Sequence, residues 1–304
     1  MQKPIVGRSA PSLCTLLKEA EAAVLSTTDL NQPQTHSQQR LKNMETWRLI
    51  PLTTHNAFMN MAIDEAVLTA RVANRVPNTL RLYQWQPSAV SIGKNQNPHT
   101  ELYVDNCRKI GIDIVRRISG GGTVFHSATD EVTYSVTAQT TNIAKDIPTT
   151  YQHIYAAITD ALRLLGIPAD YNTGDVKNCP NLTVNGKKIS GSAQTIRKGT
   201  VLQHGTLLLN VDFTEMFTLL RVPWATNYIQ VAVIAKRKIT SIQETLGHAV
   251  SPETASNALI AGFKNAFSIQ LATSELTPYE RELAETLCKE KYATDKWNFN
   301  GKTP

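Results

Sequence analysis

A chain of 304 residues with 41% apolar and 18% charged residues is ordinary for a globular protein. It is long enough to bury roughly 75% of its unfolded surface, as one large domain with additions or as two small ones. Four widely spaced cysteines, Cys14, Cys107, Cys179 and Cys288, form no C-x-x-C pair, which argues against a disulfide framework or a zinc site and for a reducing compartment. The net charge of +6 favours an acidic partner or a phosphate-bearing ligand; the basic residues are too scattered for a nucleic-acid face, and no apolar run approaches the ~18 residues of a membrane span.

Residues 11–25 are interrupted by Lys18, Glu19 and Glu21 and lack the basic start and apolar core of a secretory signal, so a cytoplasmic location is expected. Residues 26–43 are rich in Gln, Thr and Asn; residues 1–43 are expected to form a polar, partly disordered arm. A catalytic domain is expected over 44–272, with a C-terminal helix and tail, 273–304, packed on it. Trp47–Leu52 reads as a strand, and 56–73 as a helix with Asn56 as N-cap. Strands follow at 80–85 and 89–93, then a short helix over 101–110. A strand over 113–119 runs into a glycine turn, and 132–138 alternates like a half-buried strand. Residues 150–166 form an amphipathic helix ending at Gly166. Asn185–Gly186 between alternating runs predicts a hairpin, 201–211 a further strand, and 252–266 and 277–292 helices. Hairpins mixed with helices predict an α+β fold: a mixed, largely antiparallel sheet with flanking helices.

Four places carry candidate chemistry. In Arg116-Arg117-Ile118-Ser119-Gly120-Gly121-Gly122-Thr123-Val124-Phe125-His126, a strand delivers two arginines and three glycines. Each glycine costs about 0.5–1 kcal/mol relative to Ala in a regular element, yet lets backbone N–H groups approach an anion. An arginine beside them pairs with phosphate or carboxylate. The reading is a cradle for a phosphate or acyl adenylate; the alternative is a tight turn with two surface arginines. It is not a P-loop, because no GK[ST] follows. Second, alternation after the Asn-Gly turn puts Lys188 on one side with Ser190 and Ser192, and Lys187 with Ile189. With Ile189 inward, the Lys188 ammonium faces a small, polar, glycine-flanked surface suited to an acyl carbonyl or phosphate; the alternative is a solubilised hairpin tip. Third, His204 in an apolar strand is either a satisfied core residue or a hydrogen-bonding site residue. Fourth, the run from Ser91 to Pro98 ends a strand in a polar loop of the kind that lines a pocket. Asp64-Glu65 on the first helix is assigned no catalysis.

Taken together and in order, IGKNQNP (92–98), RRISGGGTVFH (116–126), VNGKKISGSAQ (184–194) and LQHGTLLLN (202–210) resemble the lipoate–protein ligase and octanoyltransferase superfamily, over about residues 44–300 including the tail EKYATDKWNF. The resemblance implies a biotin/lipoate ligase-like catalytic domain with its site on one sheet face. It implies ATP or acyl-adenylate contacts for Arg117, Gly122, Thr123, Val124 and Phe125. Lys188, not Lys187, would hold the acyl carbonyl and the activated intermediate. Mg2+ would come bound to the ATP phosphates, with no protein ligand identified. The implied partners are lipoyl domains of 2-oxoacid dehydrogenase complexes or the glycine cleavage carrier protein.

Two chemistries are implied. The first expectation is a ligase that activates lipoate or octanoate with ATP and passes the acyl group to a carrier lysine. The second is an octanoyl-carrier-protein:protein octanoyltransferase, which needs no ATP and uses a cysteine thioester. Cys179, nine positions before Lys188, is the nucleophile only in the second case, and Lys177 nearby would lower its pKa. The alternative for Cys179 is an unreactive loop cysteine. No accessory domain follows the tail helix, which implies a separate accessory subunit or a chain that is not a self-sufficient ligase. A third reading is a carrier-binding relative that has lost turnover, against which the retained Arg117, glycine triplet and Lys188 weigh.

Overall fold

The computed structural model describes residues 44–175, 179–222, 225 and 227–301; the arm expected over 1–43 and Lys177 lie outside the described residues. The unit from Glu45 onward is built on two sheets. Its strands are β1 (Thr46–His55), β2 (Thr79–Trp85), β3 (Ala89–Ile92), β4 (Asp113–Arg116), β5 (Val124–His126), β6 (Glu131–Gln139), β7 (Asp170–Asn172), β8 (Asn181–Val184), β9 (Lys187–Arg197), β10 (Thr200–Leu208) and β11 (Gln270–Thr273). Eight form a mixed sheet in the order β11-β1-β2-β6-β10-β9-β8-β7; the other three form a small sheet, β4-β3-β5. Only β1 with its two neighbours and β3 with β4 run parallel, so the α+β class with a largely antiparallel sheet holds.

The helices are α1 (Ala57–Val72), α2 (Pro98–Glu101), α3 (Val104–Lys109), α4 (Thr140–Ile143), α5 (Ile147–Leu164), α6 (Phe213–Leu219), α7 (Tyr228–Ala235), α8 (Ile242–Leu246), α9 (Pro252–Phe267), α10 (Pro278–Leu287) and α11 (Asp295–Asn298), with a π turn at Cys288–Tyr292. Asn56 caps α1 as expected, accepting from the Met59 N–H at 2.9 Å. The missed elements are short: α4, α6, α7, α8, α11, β5, β7 and β11 give too few residues for a period to register.

Alternation in the central strands divides the interior into two different faces. Leu80, Leu82, Val132, Tyr134, Val136 and Leu207 pack under α5 and α9 in the main core. The opposite face carries Arg81, Tyr83 and Trp85 of β2, Thr133 and Ser135 of β6, and His204 and Thr206 of β10. The sequence predicts a polar, solvent-facing side for β6. The structure corrects this: β6 is buried from Glu131 to Ala138, because α1 and the small sheet cover the polar face. Buried polar groups need partners, and here they define the site.

The C-terminal segment closes over α1. Ala284, Tyr292 and Trp297 join Met61, Ala62 and Leu68 in one cluster. Glu280 accepts both arms of the buried Arg48 guanidinium. Glu65 accepts from Lys291 Nζ and from the Tyr292 hydroxyl, each at 2.7 Å. Burial pushes the Glu65 carboxyl up, but Lys291 and Tyr292 outweigh it and hold the carboxyl below the usual range, so it stays ionised.

Candidate active site

Asn185 and Gly186 both have positive φ, 50° and 75°, the geometry of a tight hairpin turn that suits the strand twist. The turn starts β9 at Lys187. A β-bulge then changes the phase: Thr183 pairs with Lys188 but Leu182 pairs with Ser190, leaving Ile189 as the extra residue. Residues directly opposite share a face, and Ser190 lies opposite Leu207 of the main core, while Gly191 lies opposite Thr206. Lys188 therefore shares its face with Gly191 and Ala193, not with Ser190 and Ser192 as simple alternation predicts. Ile189 is inward as expected.

The Lys188 side chain lies across Gly191: a Cβ there would stand 2.6 Å from both Cε and Nζ. Its backbone is braced by residues 238–240, donating from N to Lys238 O at 2.8 Å and accepting from Thr240 N at 2.9 Å. Lys188 is exposed and borders a cavity. Protein around it pushes its pKa below that of an ordinary lysine, and the Cys179 sulfur pulls it back up. Lys187 points elsewhere, into a half-exposed pair with Glu244 at 3.0 Å. Such pairs contribute about 0–1 kcal/mol, so Lys187→Ala should leave kcat/KM within about twofold of wild type. A loss as large as that of Lys188→Ala would mean that the wrong lysine has been placed at the site.

The cavity has a volume of about 270 Å³ and mostly apolar walls. The residues expected to meet the activated acyl group border it: Arg117, the stretch Gly122-Thr123-Val124-Phe125, Cys179, Lys188 and His204. Tyr83, Trp85, Met216 and Phe217 supply apolar wall that sequence reading did not assign.

The two arginines separate. Arg117 is buried and organises the glycine loop, donating to Gly120 O at 3.0 Å, Gly122 O at 2.8 Å and Ser91 Oγ at 2.7 Å. Burial brings its pKa down to about 10, which leaves it charged at neutral pH. Arg116 faces away and binds the carbonyls of Lys94 and Gln96 at 2.9 and 2.7 Å, and those of Trp297 and Asn298 at 2.9 Å each. It ties the C-terminal tail to the loop after β3. Of the run from Ser91 to Pro98, Ser91 borders the cavity, but the loop that follows it does not, contrary to expectation. It backs the glycine loop instead: a Cβ on Gly93 would fall 2.1 Å from Gly121 O, and Thr123 Oγ1 donates to Gln96 Oε1 at 3.2 Å.

Two buried Ser–His–acid relays lie beside this loop. Ser119 Oγ is 2.7 Å from His204 Nε2, and His204 Nδ1 is 2.9 Å from Asp64 Oδ2. Ser91 Oγ is 2.7 Å from His126 Nε2, and His126 Nδ1 is 2.7 Å from Glu131 Oε1. A carboxylate only accepts, so each Nδ1 carries a proton and donates it toward its acid. Burial lowers the His204 pKa more than Asp64 raises it, so the ring is neutral at pH 7. Burial raises the Asp64 carboxyl, but His204 and Arg81 outweigh it and hold it low. His204 is thus both a satisfied buried residue and part of the cavity wall. Asp64 was missed because its partners lie 17 and 140 residues away, beyond any local signal.

Cys179 is a free, exposed cysteine on the cavity wall. Its segment is anchored by a chain of hydrogen bonds: Gln203 Nε2 donates to Ser192 Oγ at 3.1 Å, Ser192 to the Tyr155 hydroxyl at 2.8 Å, and Tyr155 to Pro180 O at 3.0 Å. Ser192 thus serves the site from the other face of the sheet. Among the described residues, no group of three or more His, Cys, Asp or Glu is placed to hold a metal ion, and no helix is long and apolar enough to cross a membrane.

The family model described as lipoyl protein ligase A/B catalytic domain matches residues 56–264. The chain belongs to this family. It is 37% identical over 274 residues to octanoyltransferase LipM of Symbiobacterium thermophilum, covering 84% of this chain and 99% of that one. A bi-partite lipoate protein ligase of Thermoplasma acidophilum, described with its E2 lipoyl domain, superposes with a TM-score of 0.74 at 29% identity over 86% of this chain and 98% of that one. A lipoate-protein ligase A bound with ATP also gives 0.74, at 28% identity over 85% of this chain and all of that one. The chain is thus an enzyme of the ligase and octanoyltransferase family. The sequence expectation placed ATP-dependent ligation first and octanoyl transfer second; the LipM relative, similar along nearly its whole length, reverses that order.

Proposed function

We propose that this protein is an octanoyltransferase that moves an octanoyl group from a carrier-protein thioester to a lysine of a lipoyl domain, with Cys179 as the acyl-bearing nucleophile. The observation that carries the reading is that a free cysteine and Lys188 border one mostly apolar cavity, in a chain similar to an octanoyltransferase over most of its length. Apolar walls suit an eight-carbon chain, and the few polar groups lie where the carbonyl would sit.

In the first step the Cys179 sulfur attacks the thioester carbonyl, the carbonyl–sulfur bond to the donor breaks, and the donor thiol leaves with the proton. In the second, the neutral amine of the acceptor lysine attacks the acyl-cysteine. An amide forms, the bond to Cys179 breaks, and the amine proton ends on the Cys179 sulfur. Lys188 supplies positive charge to the carbonyl oxygen in both tetrahedral intermediates. A thioester is already activated, so neither step requires ATP or Mg2+, and none is assigned to them. Arg117 and Gly122–Phe125 shape the wall next to the reacting carbonyl. The acceptors that fit are the lipoyl domains of 2-oxoacid dehydrogenase complexes and the glycine cleavage carrier protein.

Purified protein and apo lipoyl domain are incubated in two mixtures, and the lipoyl domain is followed by intact mass. One holds octanoyl carrier protein without ATP; the other holds octanoate or lipoate with Mg-ATP. Modification in the first alone is expected. Modification in the second alone would make the protein a ligase and Cys179 a bystander. No modification in either would favour a chain that binds carriers without turnover or requires a second subunit.

A further inference from the structure

Four large apolar side chains stand in solvent on the eight-residue helix α7: Tyr228 is 44% exposed, Ile229 56%, Val233 54% and Ile234 42%. The inward side of this helix is covered through Val231 and Ala235, which pack on Phe217 of α6. Its outward side has no cover among the described residues. Ile229, Ala232 and Val233, with Phe213 and Lys236, border a shallow groove between α7 and α6. Lys236, Arg237 and Lys238 follow directly, all exposed, and none has an acidic side-chain partner among the described residues. Asp212 stands across the groove, and its carboxylate is occupied by the N–H groups of Thr214 and Glu215.

This face is continuous with the active site. Ile239, the next residue, borders the catalytic cavity, and the Lys238 carbonyl receives the Lys188 N–H at 2.8 Å. An apolar patch with a charged rim marks a protein contact surface, and the sign of the rim selects the partner. We propose that α7 and Lys236–Lys238 dock the acyl donor, an acidic carrier protein that presents its octanoyl thioester on a phosphate-bearing arm. The inference rests on the proposed transferase reading, in which the octanoyl group arrives bound to protein. The apolar side chains meet the body of the carrier. The three cations, adjoining Ile239 of the cavity wall, meet its acidic surface and the arm's phosphate as the thioester enters toward Cys179.

The test compares full-length wild type with Lys236→Glu/Arg237→Glu and with Ile229→Ser/Val233→Ser, all exposed positions where folding is little affected. Binding of the unacylated donor carrier with its phosphopantetheine arm is measured without turnover. Acylation of Cys179 by octanoyl-N-acetylcysteamine, a small thioester that needs no docking, is measured alongside. Each double variant is expected to weaken carrier binding by about tenfold or more and to raise KM for the octanoyl carrier, with kcat and small-thioester acylation unchanged; the charge variant also flattens the salt dependence. Unchanged carrier binding in both variants overturns the proposal. So does a loss of lipoyl-domain binding with donor binding intact, which gives the face to the acceptor. Loss of the double variants' effect on donor binding once residues 1–43 are deleted also overturns it, by making that arm the occupant. Because binding is read without chemistry, a chain that binds the donor here but transfers nothing refutes the transferase reading and leaves the docking face standing.

Discussion

Replacing Lys188 with Ala should lower kcat for octanoyl transfer by about 10²–10³-fold, the range found when one preorganised donor to an oxyanion is removed. The side chain borders the cavity, and its ammonium makes no hydrogen bond among the described residues, while the backbone bonds to Lys238 and Thr240 survive the substitution. The thermal unfolding midpoint should therefore stay within about 2 °C of wild type. Protein around the ammonium makes its charge felt strongly at short range, which is why one lysine carries so large an effect. Gly191→Ala should reproduce part of the defect, because the new Cβ takes the space in which Cε and Nζ now lie. Wild-type turnover in Lys188→Ala would remove this residue from the mechanism, whereas a variant that unfolds would show that its main role is structural.

Cys179→Ala should abolish transfer from the octanoyl carrier, by at least about 10³-fold, since no second nucleophile is assigned to the cavity. Wild-type protein incubated with donor alone should gain one octanoyl group by intact mass, and Cys179→Ala should gain none. The variant should fold normally, because the sulfur is exposed and the segment is held by Tyr155 to Pro180 O and by Asn181 Nδ2 to Cys179 O, at 3.0 and 3.2 Å. Lys188 supplies a second check. Its pKa is held up in part by the Cys179 sulfur, so removing that sulfur should lower it further. Full transfer by Cys179→Ala in the presence of Mg-ATP and octanoate would restore the ligase reading; full transfer from the thioester would require direct attack by the acceptor lysine.

The sequence by itself determined what depends on neighbours along the chain. The Asn56 cap, the helical spacing of 57–72 and the Asn185–Gly186 turn are short-range signals, and each has its element. Gly121 and Gly122 of the glycine triplet, Lys188, Cys179 and His204 were identified as residue types in motifs, and the fold gathers them at one cavity. Tertiary structure decided what depends on partners distant in sequence. The bulge at Ile189 set Lys188 beside Gly191 rather than Ser190, because register across β8 overrides alternation within β9. The resemblance selects Arg117 over its neighbour, and the fold supplies the physical reason: Arg116 is claimed by carbonyls of the tail some 180 residues away, leaving Arg117 to the glycine loop. Asp64, Ser119, Ser91 and Glu131 became parts of relays only when α1 and the small sheet covered the polar face of the large one. Burial forces polar groups to find partners wherever the fold brings them, and that requirement leaves no periodic trace in the sequence.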